Sequence, residues 1–492
     1  VSNEPKWADD GPKATGDAAQ QAAAAPAEAS TGSEAAGKGK PPSASPPTSG
    51  ELGTAVRWWW AAYRIEALLF IACFVVLASF SSQRFLRQSG APHFVYQAKA
   101  WLDGHLDIPE RPPNPDGRPS IEDWACVREV NGQKVRCTGA ILPTDRWYSS
   151  FPWFPAVVML PFVALHGYQF NDTSFGVIIA ALAIALFYSL LRKVTQDEGL
   201  ERNPKDNTAL ALVLAFGSVF FYCAIRGEVW FSAEVMGVAL TCLYARNALK
   251  AQRPYLAGMF FSMAVLTRTP LLFTGLFFVL EAICPTPGQR WVDVKAFLKT
   301  PGPALQKLGQ FAAAAAPLAI IAALYNQVRF GSVTEFGHRF FYNNRVNLDI
   351  DTWGLFHPNY LWRNIQAAFL KLPIISTDPL RLGYDPHGLS LLLTFPMLVL
   401  LLWPPKKLRL QWPVWLTIAA CALPGFLYQN DGATQFGFRF SLDYTPYLLL
   451  ALAISGWSLK SWGVRALIAL GFLVNFWGAI AFSGYTEYIR QW

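Results

Sequence analysis

The chain has 492 residues, 53% of them hydrophobic and 15% charged, with a net charge of +8. Many apolar runs of membrane-spanning length separated by short polar breaks exclude an ordinary water-soluble domain. The lysines and arginines lie mostly between those runs rather than along one face, so the positive balance reports membrane topology and not a nucleic-acid surface.

Residues 1–52 are rich in Ala, Pro, Gly and Ser and lack an apolar period, which predicts a disordered cytoplasmic tail; residues 53–492 are expected to form a transmembrane domain. No basic stretch followed directly by an apolar core opens the sequence, so export is expected to be driven by an apolar helix over 65–83. That helix is approached through RWWWAAYR, whose tryptophans suit the headgroup region. A first exported loop is expected over 84–171 and a second large one over 329–387. Further spans are expected near 172–191, 208–225, 229–249, 255–268, 270–284, 308–328, 388–404, 412–428, 442–458 and 465–482. The fold class is thus an all-α polytopic membrane protein of about eleven transmembrane helices. At 267–270, TRTP divides the run 255–284, because Pro270 breaks a helix and Arg268 needs a turn or a wet cavity.

The cationic loops at 192–205, 246–253, 290–307, 406–409 and 460–465 fall on one side, which the positive-inside rule makes cytoplasmic. FPWFPAVVMLPFVALHG at 151–167 must then enter and leave through the outer leaflet. A competing arrangement puts the tail outside and 84–150 inside, with 151–167 as a true span. Against it, 17 residues make only about 25 Å of helix, and Pro152, Pro155 and Pro161 disfavour a regular one. Cys73, Cys223, Cys242, Cys284 and Cys421 lie in or beside apolar runs and read as small packed hydrophobes. Cys126 and Cys137 share the first loop and can pair if it faces an oxidising compartment.

The layout resembles the GT-C glycosyltransferases, the superfamily of protein O-mannosyltransferases, the lipid A aminoarabinose transferase and the catalytic subunit of oligosaccharyltransferase. What is similar is one helix, then an exported loop with PHFVYQAKAWLDGHLDI and FPWFPAVVMLPFVALHG, then a helix ending in LLRK; the likeness covers 65–284. Gly90 and Ala91 stand where such proteins carry an acidic pair, so that catalytic Asp does not transfer to this chain. The resemblance implies a GT-C-like fold with juxtamembrane helices in the first loop. It implies a bacterial-type inner membrane, and a sugar moved from a polyprenyl-phosphate donor to a glycan, lipid or protein acceptor on the extracytoplasmic face. A carboxylate base and donors for a leaving phosphate are then required. No Asp-x-Asp occurs in the second short exported loop, which speaks against the metal-dependent branch, and no cofactor is expected.

Base candidates are Asp123, beside Trp124 in SIEDWA after Glu122, then Asp103 and Glu228; a solvated loop carboxylate, or helix-end chemistry at Asp103, is the plain alternative. Candidates for binding substrate are His93 and Tyr96 in the first loop and Arg226 and Glu234 around RGEVWFSAE. They continue with Arg268, with His338 and Arg339 in EFGHRFF, and with Arg439 and Asp443 in QFGFRFSLDY. The plain reading of the last two is an Arg439–Asp443 pair at helical spacing, and DPHGLS at 385–390 reads first as the start of a helix. From other classes, a transporter or flippase of lipid-linked sugars, or a surface-polysaccharide polymerase or ligase, shares the carrier chemistry. Transporters tend to show internal repeats, and none is evident.

Overall fold

The computed structural model describes residues 52–114, 117–121, 123–283, 294–342, 344–377, 380–383, 385–406 and 408–489; the expected tail up to 51, Glu122 and Cys284 lie outside the described residues. Val1–Ala62 and Tyr63–Trp492 form two units; the described part of the first is the opening of a long helix.

In chain order, α1 (Leu52–Ser81) is followed by a 3-10 segment (Ser82–Leu86), α2 (His93–Leu102), β1 (Trp124–Val130), β2 (Gln133–Arg136), β3 (Arg146–Ser149), α3 (Phe154–His166) and α4 (Asp172–Asp197). Next come α5 (Pro204–Phe216), α6 (Phe220–Ala224), α7 (Val229–Ala248), α8 (Pro254–Val265), a 3-10 segment (Thr269–Thr274), α9 (Gly275–Ile283), α10 (Val294–Lys299) and α11 (Gly302–Phe330). The remainder is α12 (Asn344–Trp353), α13 (Leu361–Ile365), the β4 (Ile374–Thr377) and β5 (Leu380–Gly383) hairpin, α14 (Leu391–Thr394), α15 (Gln411–Leu427), α16 (Thr445–Ile454) and α17 (Trp462–Ile489).

The protein is mostly helical, and among the described residues four helical stretches are long and apolar enough to cross a membrane: Trp59–Leu86, Asp172–Asp197, Gly302–Phe330 and Trp462–Phe482. The other apolar runs form shorter or interrupted helices. Run 208–225 breaks at Gly217 between α5 and α6, and 388–404 is α14 plus a 3-10 segment from Pro396. In 255–284, Pro270 opens the 3-10 segment between α8 and α9. With 13 residues, α3 is about 20 Å long, short of a hydrocarbon core of about 30 Å. Trp153 precedes it and Gly167 ends it at φ 59°, while Pro161 lies inside it without ending it, so the prolines admit a regular helix that the sequence reading disfavoured.

Local signals set the helix ends. The Asn171 side chain accepts the Ser174 amide and starts α4, while Asn203 and Asp206 form a reciprocal capping box at α5 with Pro204 at its first position. Around α4 the bundle packs in sequence, α4 on α7, α7 on α8 and α8 on α11. The most apolar window of α4 is 72% buried and that of α11 only 6%, so α4 is the central post and α11 a peripheral one. At Gly258 a Cβ would fall 2.2 Å from the Phe311 carbonyl oxygen, so only glycine permits this approach of α8 to α11.

Two small antiparallel sheets correct the all-α expectation. β1 pairs with β2 through Val130↔Gln133, leaving Asn131-Gly132 as a two-residue turn with φ of 52° and 76°. Asn-Gly is the favoured chemistry for such a turn, so the hairpin was written in the sequence and masked by the dominant apolar pattern. β3 closes the order β2-β1-β3, and Cys126–Cys137 ties β1 to the strand end at Arg136. Cys73, Cys223, Cys242 and Cys421 are free and buried. Replacing both disulfide cysteines with serine is expected to destabilise the sheet by about 2–3 kcal/mol, since the bridge closes a short loop. Equal unfolding midpoints for the oxidised wild type and the double-serine variant would contradict this.

At the C-terminal end of α4, the buried Arg409 donates to the buried Glu281 at 2.7 and 3.1 Å and to the half-buried Glu198 at 2.9 Å. One of the cationic loops, 406–409, thus supplies an arginine that ties the end of α4, α9 and the approach to α15 together.

Candidate active site

The segment before β1, the start of α7, the α8 turn and the 432–443 stretch bring several of the sequence candidates into one region. Asp123 sits just ahead of β1 at φ 56°, a conformation that Asp tolerates better than most residues and that stores about 1–3 kcal/mol. Its Oδ2 accepts the Trp230 indole N–H at 2.7 Å, and its carbonyl accepts the Ser150 hydroxyl at 3.0 Å. The carboxylate is thereby aimed from the sheet toward α7.

One turn further along α7, Glu234 is fully buried. Its Oε1 accepts Arg439 Nη1 at 2.8 Å and lies 3.5 Å from Arg268 Nη1, while Oε2 faces the Cys223 thiol at 3.5 Å. Arg268 grips Asp443 with a two-pronged contact, Nε to Oδ1 at 2.8 Å and Nη2 to Oδ2 at 2.6 Å. Asp443 thus pairs with distant Arg268 and not with Arg439 four residues away. Two guanidiniums face two carboxylates, an internally neutral set, and both cations lie over the Phe440 ring, at 5.6 and 4.9 Å from its centre. Tyr428 lies within electrostatic reach of Asp123 as well as of Arg268 and Arg439.

The aromatic wall continues on the sheet side. His93 stacks on Trp124 with ring centres 4.1 Å apart and lies 6.4 Å from Trp230. His338 is edge-on to Phe341 and to Tyr428 at 5.4 and 6.3 Å; burial pushes its pKa down to about 4, so it is neutral at pH 7.

Other candidates lie elsewhere. Asp103 caps the end of α2 and pairs with Lys99 at helical spacing, exposed to solvent. Tyr96 packs against Tyr168 with tilted rings, centres 4.6 Å apart. Arg339 is 72% exposed beside Glu335 and grips nothing in the network. Arg226 and Glu228 satisfy each other at 3.1 and 2.7 Å, with Arg226 also donating to the Tyr222 hydroxyl at 3.1 Å. Among the described residues, the His/Cys/Asp/Glu group close enough to share an ion is Cys126, Cys137 and Asp145. Its thiols are joined as a disulfide and Asp145 holds Arg128 at 2.7 Å, so nothing there is left to ligate a metal.

Sequence reasoning passed over Trp230, Tyr428 and Phe440, although Trp230 and Phe440 stand inside the quoted motifs beside the flagged charges. It also passed over the support behind Arg439. The Gln435 side chain accepts the Arg439 amide at 3.0 Å and donates to the carbonyls of His387 and Asp431 at 2.8 and 2.7 Å. Arg439 Nε donates to the Gly432 carbonyl at 3.2 Å. His387 Nδ1 in turn meets Asp431 Oδ2 at 2.6 Å, with Asp385 and Lys371 alongside.

The Asp431 hydrogen bond raises the His387 pKa above its ordinary 6.5. Burial pushes Asp431 upward, but the His387 contact outweighs it and holds the carboxyl below 3.8. The histidine contribution to stability is full below pH 6.5 and fades as pH rises through its folded pKa; the aspartate contribution is full above pH 3.8 and fades as pH falls through its own. The midpoint advantage of wild type over His387→Gln is therefore expected to grow between pH 8 and pH 6. Parallel midpoint-versus-pH curves for the two proteins would remove the pair from the stability balance. No family model, curated protein or solved structure matches the chain.

Proposed function

We propose that the chain is an integral-membrane glycosyltransferase of GT-C-like architecture, moving a sugar from a polyprenyl-phosphate donor to a glycan, lipid or protein acceptor. In this reading the shorter and broken helices complete about eleven passages of a bacterial-type inner membrane. The N-terminal tail is cytoplasmic, and the two sheets and the active site are extracytoplasmic. α3 is the juxtamembrane helix of the first exported loop, and the Cys126–Cys137 bridge accords with an oxidising compartment there.

The observation that carries the reading is a slot of about 400 Å³ lined by Trp101, Trp153, Val157, Ile321 and Tyr325. It is mostly apolar, with His105 at its edge, and is bordered by the lipid-suited face of α11, where Ile320, Ile321 and Leu324 are exposed. Trp153 packs on Leu266, whose carbonyl accepts the Phe154 amide at 2.9 Å, and Leu266 lies two residues before Arg268. A chain-like lipid in the slot would lead its phosphate toward the arginine network. Arg268 Nη1, with only the 3.5 Å contact to Glu234, is the donor that a phosphate would take while Asp443 keeps the other edge. Asp123 would accept the proton of the acceptor hydroxyl.

A second reading, transport or flipping of intact lipid-linked sugar, is favoured by one feature. The four charges of the network are buried and compensated within the helix bundle, as in ion-coupled carriers. Purified protein in liposomes, offered a panel of polyprenyl-phosphate sugars, separates the two. Release of carrier phosphate with sugar transfer supports the enzyme. Movement of uncleaved lipid-sugar across the bilayer supports the carrier and overturns the transferase.

A further inference from the structure

We infer that residues 348–375, in the middle of the second large loop, form a platform that lies in the outer-leaflet interface of the bilayer, with the lipid surface itself as its partner. The stretch runs from α12 through α13 and the π-helical turn Gln366–Leu370 into β4. Leu348, Trp362 and Ile375 are 70%, 61% and 65% exposed, and Trp353, Phe356 and Leu372 are exposed with them. A surface so rich in large apolar side chains marks an interaction face rather than a water-facing loop. Ile320 and Leu324, on the lipid-suited face of α11, are exposed to the same degree, 58% and 61%.

Charge and main chain in this stretch are both answered from inside the protein. Arg363 holds Asp349 at 3.2 Å, Arg136 of β2 holds Asp351 at 2.6 Å, and Lys371 pairs with Asp385. Every acidic and basic side chain between 348 and 375 therefore has a partner, and covering the apolar face with lipid strands no charge. β4 pairs with β5 through Ile374↔Gly383 and Ile375↔Leu382, while α13 and the turn after it bond along their own axis. A segment at the edge of a bilayer needs such internally satisfied backbone.

The neighbouring helix decides what covers the face. The stretch is fastened to the C-terminal end of α15: the His357 amide donates to the Leu427 carbonyl at 2.9 Å, the Gln429 amide to the Leu355 carbonyl at 3.0 Å, and the Asn364 side chain to the carbonyls of Phe426 and Tyr428 at 3.0 and 2.7 Å. α15 is itself an apolar helix with Leu416 and Leu423 exposed, so the platform continues a surface already suited to lipid. Trp353 and Trp362 are the residue type that settles at the headgroup boundary, and short amphipathic elements lie in that plane. Phe356 meets Tyr428 with ring centres 5.6 Å apart, which sets the leaflet surface beside the candidate site. The inference rests on the membrane-embedded architecture proposed above and not on sugar transfer.

The test places nitroxide spin labels on the full-length protein in phosphatidylcholine nanodiscs, in a Cys284→Ser background; Cys73, Cys223, Cys242 and Cys421 are buried and Cys126 is bonded to Cys137. Trp362→Cys and Ile375→Cys probe the platform, Ile320→Cys on α11 is the lipid reference, and Glu201→Cys, at a side chain 89% exposed, is the water reference. Collisions with molecular oxygen and with a water-soluble nickel chelate are expected to place both platform labels about 5–10 Å below the lipid phosphates. Nickel contact at either label equal to that of Glu201→Cys puts the stretch in water and overturns the platform. Spin–spin broadening at either label that vanishes on dilution with unlabelled protein shows a second copy on the face and overturns lipid as its partner. A water reading at Ile320→Cys as well overturns the membrane-embedded architecture, whereas a lipid reading there with water at Trp362 and Ile375 strikes the platform alone.

Discussion

Arg439→Ala is expected to destabilise the protein by about 3–5 kcal/mol, because it leaves the fully buried Glu234 with the longer 3.5 Å contact from Arg268 in place of its 2.8 Å ion pair. The double variant Glu234→Gln/Arg439→Ala removes both charges and is expected to regain most of that loss relative to Arg439→Ala, so the cycle completed by Glu234→Gln shows a large coupling. Unfolding midpoints in detergent for the two single variants and the double one measure it. Additive effects would mean that the pair at 2.8 Å carries no coupling energy. Arg268 stands in the same position toward Asp443, so alanine at either arginine mixes loss of fold with loss of the proposed phosphate contact. Transfer by such variants has to be compared per folded molecule.

Asp123→Asn is expected to lower transfer about 10²–10⁴-fold, the usual range for removing a general base, with the fold intact because Asn accepts the same left-handed backbone at φ 56°. Asp103→Asn, at an exposed helix end, is expected to stay within about twofold of wild type, as surface changes away from a site usually do. Initial rates on a polyprenyl-phosphate sugar, with KM and kcat separated, distinguish them. Full turnover by Asp123→Asn would place the base elsewhere. A pH–rate profile that keeps its acidic limb in this variant would do the same.

Much of the architecture was legible because it rests on preferences that each residue expresses alone or with near neighbours. The four long stretches, the break at Pro270 and the proline-opened α3 follow from apolar run length and from what proline does to a helix. The Asn131-Gly132 hairpin was equally local and was overlooked. Apolar run length overstated regularity at 208–225 and 388–404, where Gly217 and Pro396 interrupt α-helix inside runs that hydropathy treats as uniform.

The sequence by itself determined which chemistry the candidate site contains: a carboxylate beside Trp124, two arginines in aromatic surroundings and acids at the start of α7 and after Arg439. Only the tertiary structure decided who meets whom. Arg439 finds Glu234 across 205 residues and Arg268 finds Asp443 across 175, displacing the local Arg439–Asp443 pair, while Arg226 and Glu228 close on each other and Asp103 and Arg339 stay at the surface. The reason is that a buried charge is stable only when an opposite one reaches it in hydrogen-bonding geometry. That geometry is set by how α7, α8 and the 432–443 stretch pack, a property no single stretch of chain possesses.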